Sequence, residues 1–398
     1  MSIYSADDTN RKTPNWSTIL RADGTNSGKG GRDNVDAKLD PQGKFSGRFI
    51  RIINTSGAEY NPQVAEVEAW MDSGERSGGV TLHPAHGFYD EPFDLKMTAE
   101  QPGAEIRFTT DGKAPTLTTG QVYTDPVTIS TTVVIRAAAF ETGKAGSRVA
   151  TQSYLFPDQV ISNSVMDMGI TKHPSYGPKM RSSLASLPTM VISTGIPING
   201  NSETFGSVEF IPANGDTGFQ VNAGIRNFGG AFTNFAKKNF RIYFRKKFGV
   251  AKLQYPLFEG FSHGIEAATE FDRLNLRTGS HDMVSRGFYM SNRFTDDTML
   301  DMGNIAPHGR FVHVYLNGQY WGQYHLRERW NAAMFSEYFG GARENYEAIN
   351  ANNTGGDFLS GTVYNGSGRF WNRARTLVNQ PNPFATTRRY IDIPNIID

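Results

Sequence analysis

Cysteine is absent from the 398-residue chain, which excludes disulfide staples, thiolate metal sites and a cysteine nucleophile together. That absence selects no compartment, because a cysteine-free chain suits either redox environment. Long apolar runs are missing too. None approaches the ~20 residues that span a bilayer, and the polar opening MSIYSADDTNRKTPNW has no apolar core of a signal peptide. Either the protein is not secreted by that route or the chain is not the full product. Net charge is also lacking: 40 Lys and Arg against 39 Asp and Glu leave +1, so no global attraction draws the chain to nucleic acid or an anionic membrane. Basic function has to be local, and the one dense basic cluster is KKNFRIYFRKKFG, residues 237–249.

What the chain does have is glycine and aromatic residues, 42 glycines and 12% Phe, Trp and Tyr, which favour β-rich architecture over helical bundles. Its length allows two or three domains, each with its own core. Residues 1–45 are rich in Asp, Asn and Gly without apolar periodicity and read as loop or as the remains of something larger. GRFIRIINTSG and VAEVEAWM then give two short strand signals. After the Gly/Ser-rich break GERSGGV, strand-like runs recur at short spacing: FDLKMTAE, AEIRFTTDG, PVTISTT, VVIRAAAFE and ATQSYLF. Turn residues bound each of them, the rhythm of a small β-sandwich. Asp111-Gly112 marks one tight turn, and Asp111 is expected to be a solvated turn residue rather than a catalytic one.

Beyond the connector HPSYGPK, strands such as LPTMVIST, QVNAGIRNF, NFRIYFR, FDRLNLR and FVHVYLNGQYWGQYHL mix with helix-like segments. One helix is expected to begin near His281-Asp282 and to carry Phe288, Phe294 and Met299. A second starts at the N-cap Asn331 and stops at Gly340-Gly341, and a third is RFWNRARTLVN. Asn317-Gly318 predicts a two-residue type I′ hairpin. An antiparallel sheet with one inserted helix, then helices, fits a kinase-like lobe pair and many other α+β folds.

Within the basic cluster the alternation sets Lys238, Phe240, Ile242 and Phe244 on one side and Asn239, Arg241, Tyr243 and Arg245 on the other. Lys238 therefore falls on the apolar, inward face, and Lys237 on the opposite one. An inward ammonium has either an anionic partner such as phosphate or a stem that snorkels to water, and both readings stand. Gly229-Gly230, between Arg226 and Lys238, allows backbone N–H groups to approach phosphate oxygens, and Arg226 supplies a charged fork. The aromatic and basic interleaving also fits a solvated basic face, and nucleic-acid binding is not expected from it. His263, His281, His308, His313 and His325 show no HExxH or paired spacing, so no metal ligands are assigned.

Three resemblances order these segments. Residues 1–73, with their aromatic-Ile-Arg-Ile strand and Glu-rich strand ending in Trp, resemble the C-terminal part of a discoidin-like jelly roll. Residues 80–156, through IRFTTDGKAPT, VYTDPVTIS and VVIRAAAF, resemble the fibronectin-III-associated module found at the C-terminus of chitobiases, read as a spacer. Residues 187–398 resemble the spore-coat protein H (CotH) family of atypical, secreted or surface protein kinases. The motifs AGIRNFGGAF, AKKNFRIYF, KFGVAKLQYPLF, LNLRTGSHD, VYLNGQYWGQYHLRER and YFGGARENYEAIN carry that last resemblance, in the family's order.

The fold implied is an all-β N-terminal half followed by an α+β kinase-like domain, incomplete at its C-terminus. The resemblance implies ATP with Mg²⁺ as cofactors, protein serine or threonine as substrate, and an extracellular or cell-surface location. Under it, Lys238 is the phosphate-contacting lysine, Arg226, Gly229 and Gly230 flank the phosphates, and Glu328 is the acidic residue after the Asn-Gly hairpin. Glu328 has three open roles: pairing with Lys238, contacting the nucleotide, or bridging Arg327 or Arg329 at the surface. Asp282 is expected to cap the inserted helix, and no Glu between Ser280 and Met302 can pair a lysine with that helix. Asp357, Asp392 and Asp398 lack flanking metal motifs, so no catalytic residue is assigned and the catalytic aspartates are expected beyond Asp398, which makes the chain inactive as supplied. The alternative reading is a non-enzymatic surface scaffold or adhesion protein whose β-modules bind cell-surface glycans.

Overall fold

The computed structural model describes residues 2–6, 16–21 and 49–53 as backbone pairing, and residues 76–200, 202–216, 218–229, 237–279, 288–350 and 362–379. The chain divides into two units, Met1–Asp72 and Ser73–Asp398. In the first, β1 (Ser2–Ala6) lies between β2 (Trp16–Arg21) and β3 (Phe49–Ile53), antiparallel to both. The FIRII strand is as the alternation indicated. The loop expected over 1–45 is corrected, because SIYSA and WSTILR hold enough Ile, Tyr, Trp and Thr to pair while the Asp- and Asn-rich composition around them hid the signal. The VAEVEAWM strand lies outside the described residues.

The second unit begins with the sandwich. One sheet joins β4 (Val80–His83), β6 (Phe93–Ala99) and β9 (Val127–Ile129). The other joins β5 (Gly87–Phe88), β11 (Ala150–Leu155), β10 (Val133–Phe140), β7 (Glu105–Thr109) and β8 (Gln121–Val122) in that order. Leu95, Met97, Ile106, Phe108, Ile135, Ala137 and Tyr154 fill the space between the sheets. Gly112 takes φ +80° at the expected turn, and Asp111 is exposed and paired to Lys113. The described end of the break GERSGGV is bound to the sandwich: Ser77 N donates to Ala145 O at 2.8 Å and Gly79 N to Glu100 at 2.8 Å.

Three short helices that the proline-rich composition concealed bridge to the next domain: α1 (Pro157–Ser162), α2 (Met168–Thr171) and α3 (Met180–Ser186). A closed barrel then forms from β12 (Thr189–Thr194), β13 (Thr204–Ile211), β14 (Phe219–Phe228), β15 (Asn239–Tyr243), and, after the short β16 (Leu253–Gln254) and β17 (Glu270–Phe271) pair, β18 (Arg273–Arg277). Helix α4 (Ser291–Asp301) follows, and β19 (Gly309–Leu316) and β20 (Gln319–Arg327) complete the ring. Strand order around it is β12-β13-β14-β15-β18-β20-β19, closed by a parallel β12–β19 pair with Thr189 opposite His313. The antiparallel sheet expected is closed by one parallel pair, which leaves the ring no unpaired edge.

Met190, Ile192, Val208, Phe210, Ile225, Phe240, Ile242, Leu274, Leu276, Val312, Val314 and Leu326 fill the barrel. Asn317 (φ 49°) and Gly318 (φ 81°) make the β19–β20 turn with the two left-handed residues that type I′ requires. Helix α5 (Ala332–Phe339) starts where Asn331 accepts the Met334 N–H at 2.7 Å and ends at Gly340, φ 75°. A short pair, β21 (Ala348–Asn350) with β22 (Thr362–Asn365), and α6 (Arg369–Val378) complete the described chain.

The sandwich is not a free spacer. Strand β10 is buried on both faces: Ile135, Ala137 and Ala139 point into the sandwich, while Val134 joins Leu155, Val160, Leu184, Val191, Ile211 and Tyr315 in a core shared with the barrel. At the centre of that joint stands Glu209 of β13, with no exposed surface. It accepts from Ser153 N at 2.9 Å, Ser153 Oγ at 2.5 Å and His86 Nδ1 at 2.8 Å. Carboxylates only accept, so His86 carries its proton on Nδ1 here. Asn222 Nδ2 donates to Val149 O at 3.2 Å beside them.

Candidate functional site

Side chains of opposite parity to the barrel core do not face open water, as a solvated basic strand face requires. Asn239, Arg241, Tyr243, Asn275 and Arg327 are all buried. The register puts them in rows across four strands. Arg226 lies opposite Arg241, Arg241 opposite Asn275, and Asn275 opposite Arg327. The neighbouring row sets Arg277 opposite His325. Each strand alone shows only an Arg or Asn at every second position. Stacked in register, they become one cationic face.

Charge on this face is unevenly compensated. At one end Arg327 NH2 donates to Asp296 of α4 at 2.9 Å and Arg277 NH1 to Asn292 at 2.8 Å, while Arg293 pairs with Asp297 at 2.6 Å. Arg245 is bidentate on Glu203, and Arg273 donates from Nε and NH2 to the single oxygen Oδ2 of Asp272. Tyr243 is ringed by Arg245, Arg226 and Arg273, whose guanidinium carbons lie 5.0, 5.2 and 5.5 Å from its ring centre. Arg241 differs from the rest. Its Nε donates to Asn275 Oδ1 at 2.9 Å and its guanidinium stacks 4.4 Å from the Phe228 ring, yet no carboxylate pairs with it among the described residues. Burial first, then the charges of Arg329 and Arg226, push it down to about 10, against the raising effect of Tyr243. Such a group favours an anion within reach.

Helix α4 docks on this face in an unusual way. Its buried residues are Arg293 and Asp296, whereas Phe294 and Met299 are exposed. The expected helix carries Phe294 and Met299, while Phe288 precedes its first turn; ion pairs rather than an apolar stripe hold it. Gly309 makes room for this packing, because a Cβ there falls 2.5 Å from His325 Nε2 and 2.8 Å from Arg293 NH1. His281 and Asp282 lie outside the described residues.

The other residues singled out from the sequence separate. Arg226 is half-buried on the cationic face, and Gly229 ends β14 with φ +112°, a conformation suited to glycine; Gly230 lies outside the described residues. Lys238 is half-buried just before β15, and its carbonyl accepts the Tyr324 hydroxyl at 2.9 Å. The alternation holds from Phe240 onward, and Lys237 departs from the outward side assigned to it. The ammonium seen against the barrel lining is that of Lys237, which donates to Gln323 O at 2.8 Å, sits 4.8 Å from the Tyr324 ring centre, and has its pKa lowered by burial.

Glu328 is buried, which removes the surface-bridge option. Its Oε2 accepts from His308 N at 2.8 Å and lies 2.9 Å from His308 Nδ1, and its Oε1 accepts from Tyr338 of α5 at 2.8 Å. Oε1 thus ties the barrel to α5, and Oε2 joins the end of β20 to the entry of β19. Burial and the adjacent carboxylate raise the Tyr338 pKa, so the phenol keeps the proton it donates.

A β-sandwich joined to a closed barrel with a buried cationic face defines a multidomain, strand-rich protein. Comparison with known families particularises it: residues 84–151 match the chitobiase/beta-hexosaminidase C-terminal domain, and residues 225–397 match the CotH kinase protein. The chain carries a CotH kinase domain preceded by a chitobiase-type module. No curated protein matches the chain. Arg226, Arg241, Asn275, Arg327 and Glu328 all fall inside the CotH match.

Proposed function

We propose that the cationic face of the barrel binds the phosphates of ATP, and that the protein is an ATP-dependent protein serine/threonine kinase of the CotH type at a cell surface. The observation that carries this reading is Arg241, a buried guanidinium among like charges with no carboxylate partner among the described residues. Asn275 takes its Nε–H and Phe228 backs its plane, which fixes the fork that a phosphate requires. Arg226, Gly229 and Lys238 border the same end of β14 and β15 and supply flanking charge and a backbone donor. Glu328 serves the site by fixing α5 against the barrel. The domain limits that go with this reading are a jelly-roll part over 1–73, the sandwich over 80–156 and the kinase-like domain over 187–398.

Bound ATP supplies the transferable phosphoryl group, and the arginines hold and orient its phosphates. Among the described residues no group of three or more His, Asp or Glu side chains gathers to hold a metal, so Mg²⁺ has no assigned ligands there. No helix among them is long and apolar enough to cross a membrane. Equilibrium titration at physiological salt with ATP and with adenosine tests the phosphate reading. ATP is expected to bind at least tenfold more tightly, and equal affinities or no binding of ATP contradict it.

A further inference from the structure

Helix α4 meets one half of the cationic face, the half that holds Arg277 and Arg327. On that side, three contacts run from one turn of the helix to the barrel and its rim. Asp296 meets Arg327 at 2.9 Å, Asn292 accepts from Arg277 at 2.8 Å, and Arg293 NH1 donates to Pro307 O at 3.2 Å. Asp297 is taken by Arg293 on the same helix. Asp296 is therefore the one carboxylate that α4 gives to the strands of this face among the described residues. Both Asp296 and Arg327 are buried, and the helix leaves Phe294 to solvent. A helix that docks through charge rather than apolar area is sensitive to anything that competes for that charge.

We propose that α4 acts as an intramolecular counter-ion: Asp296 withdraws Arg327 from the ligand, directs phosphate to Arg241, and is displaced as phosphate gains Arg327. This rests on the phosphate-binding reading of the face and adds its regulation. Arg327 and Arg241 are both register partners of Asn275, so the two cations flank one position on adjacent strands. They sit about 10 Å apart, two strand spacings. Asp296 thus lowers the potential felt by an anion at Arg241 as well as blocking Arg327. Because linkage is reciprocal, phosphate binding loosens α4 to the same degree that docked α4 weakens phosphate binding.

The test uses the full chain, with ATP and inorganic tripolyphosphate as probes in calorimetric titrations at several salt concentrations. Asp296→Asn keeps the shape and an acceptor for Arg327 but removes the charge. It is expected to bind both probes roughly three- to tenfold more tightly, with a steeper salt dependence. Unchanged or weaker binding by a variant that melts like the parent overturns the proposal. If that variant fails to fold, the pair Asp296→Leu with Arg327→Met removes both charges. Binding no tighter than the parent's is then expected, because the charge that phosphate would gain is gone, whereas binding tightened roughly three- to tenfold without Arg327 overturns the proposal. A parent chain that binds neither probe sinks the phosphate reading along with this one. A parent that binds while Asp296→Asn leaves the affinity unmoved sinks the counter-ion role alone.

Discussion

Replacing Glu209 by leucine should loosen the joint between sandwich and barrel. The residue is fully buried and receives three donors from the sandwich: the Ser153 backbone and hydroxyl and the His86 ring. Leucine leaves the Ser153 N–H without an acceptor in a dry interface. The Ser153 hydroxyl can rotate, and His86, with 13% of its side chain exposed, can turn to water. Removing one member of a buried ionic set costs about 3–5 kcal/mol, and those two escapes point to the lower end, about 3 kcal/mol. For a unit this large each kcal/mol lowers the melting midpoint by roughly 2 °C, so a fall of about 6 °C is expected. Scanning calorimetry of the full chain reads it directly. The shared core of Val134, Leu155, Val191 and Tyr315 further requires that parental sandwich and barrel melt in one transition. A shift below about 2 °C, or separate transitions for the two domains in the parent, refutes the weld.

Acidification should destabilise the barrel. Burial, and then Arg327, Arg293 and Arg277, hold His325 well below its ordinary pKa, and burial lowers His313 as well. Groups depressed in the fold bind more protons when unfolded. The stability they allow is complete above the ordinary value of about 6.5 and drains as pH falls toward the folded values. The melting midpoint should drop between pH 7 and 5, with a shallower slope in His325→Gln; identical slopes speak against this. Asn331→Ala removes the cap on Met334 N and should cost about 1 kcal/mol in denaturant titration. Lys238→Ala should weaken ATP binding several-fold with the fold intact by circular dichroism, and unaltered binding removes Lys238 from the site.

Local signals gave the elements that local chemistry determines. The Asn317-Gly318 turn, the Asn331 cap with its Gly340 stop and the sandwich strands all sit where turn residues and alternation put them. Family motifs did the same for the CotH and chitobiase-type segments. What the sequence left unread depends on register. Arg241, Asn275 and Arg327 are far apart in the chain and read as isolated polar positions until β15, β18 and β20 align them. Helix α4 was expected and carries Phe294 and Met299, but its buried side is charged, and only the register of the strands beneath shows which face docks. The alternation along β15 does not extend to Lys237, just before the strand, whose ammonium reaches Gln323 O on the barrel.

The central claim is that Arg241 anchors a phosphate group, and titration of ATP into the parent chain and into Arg241→Gln tests it most directly. Losing one charge-assisted fork should weaken binding roughly tenfold or more, with the melting midpoint little changed because Arg241 has no carboxylate to orphan among the described residues. Equal ATP affinity in the two proteins, both folded, contradicts the account.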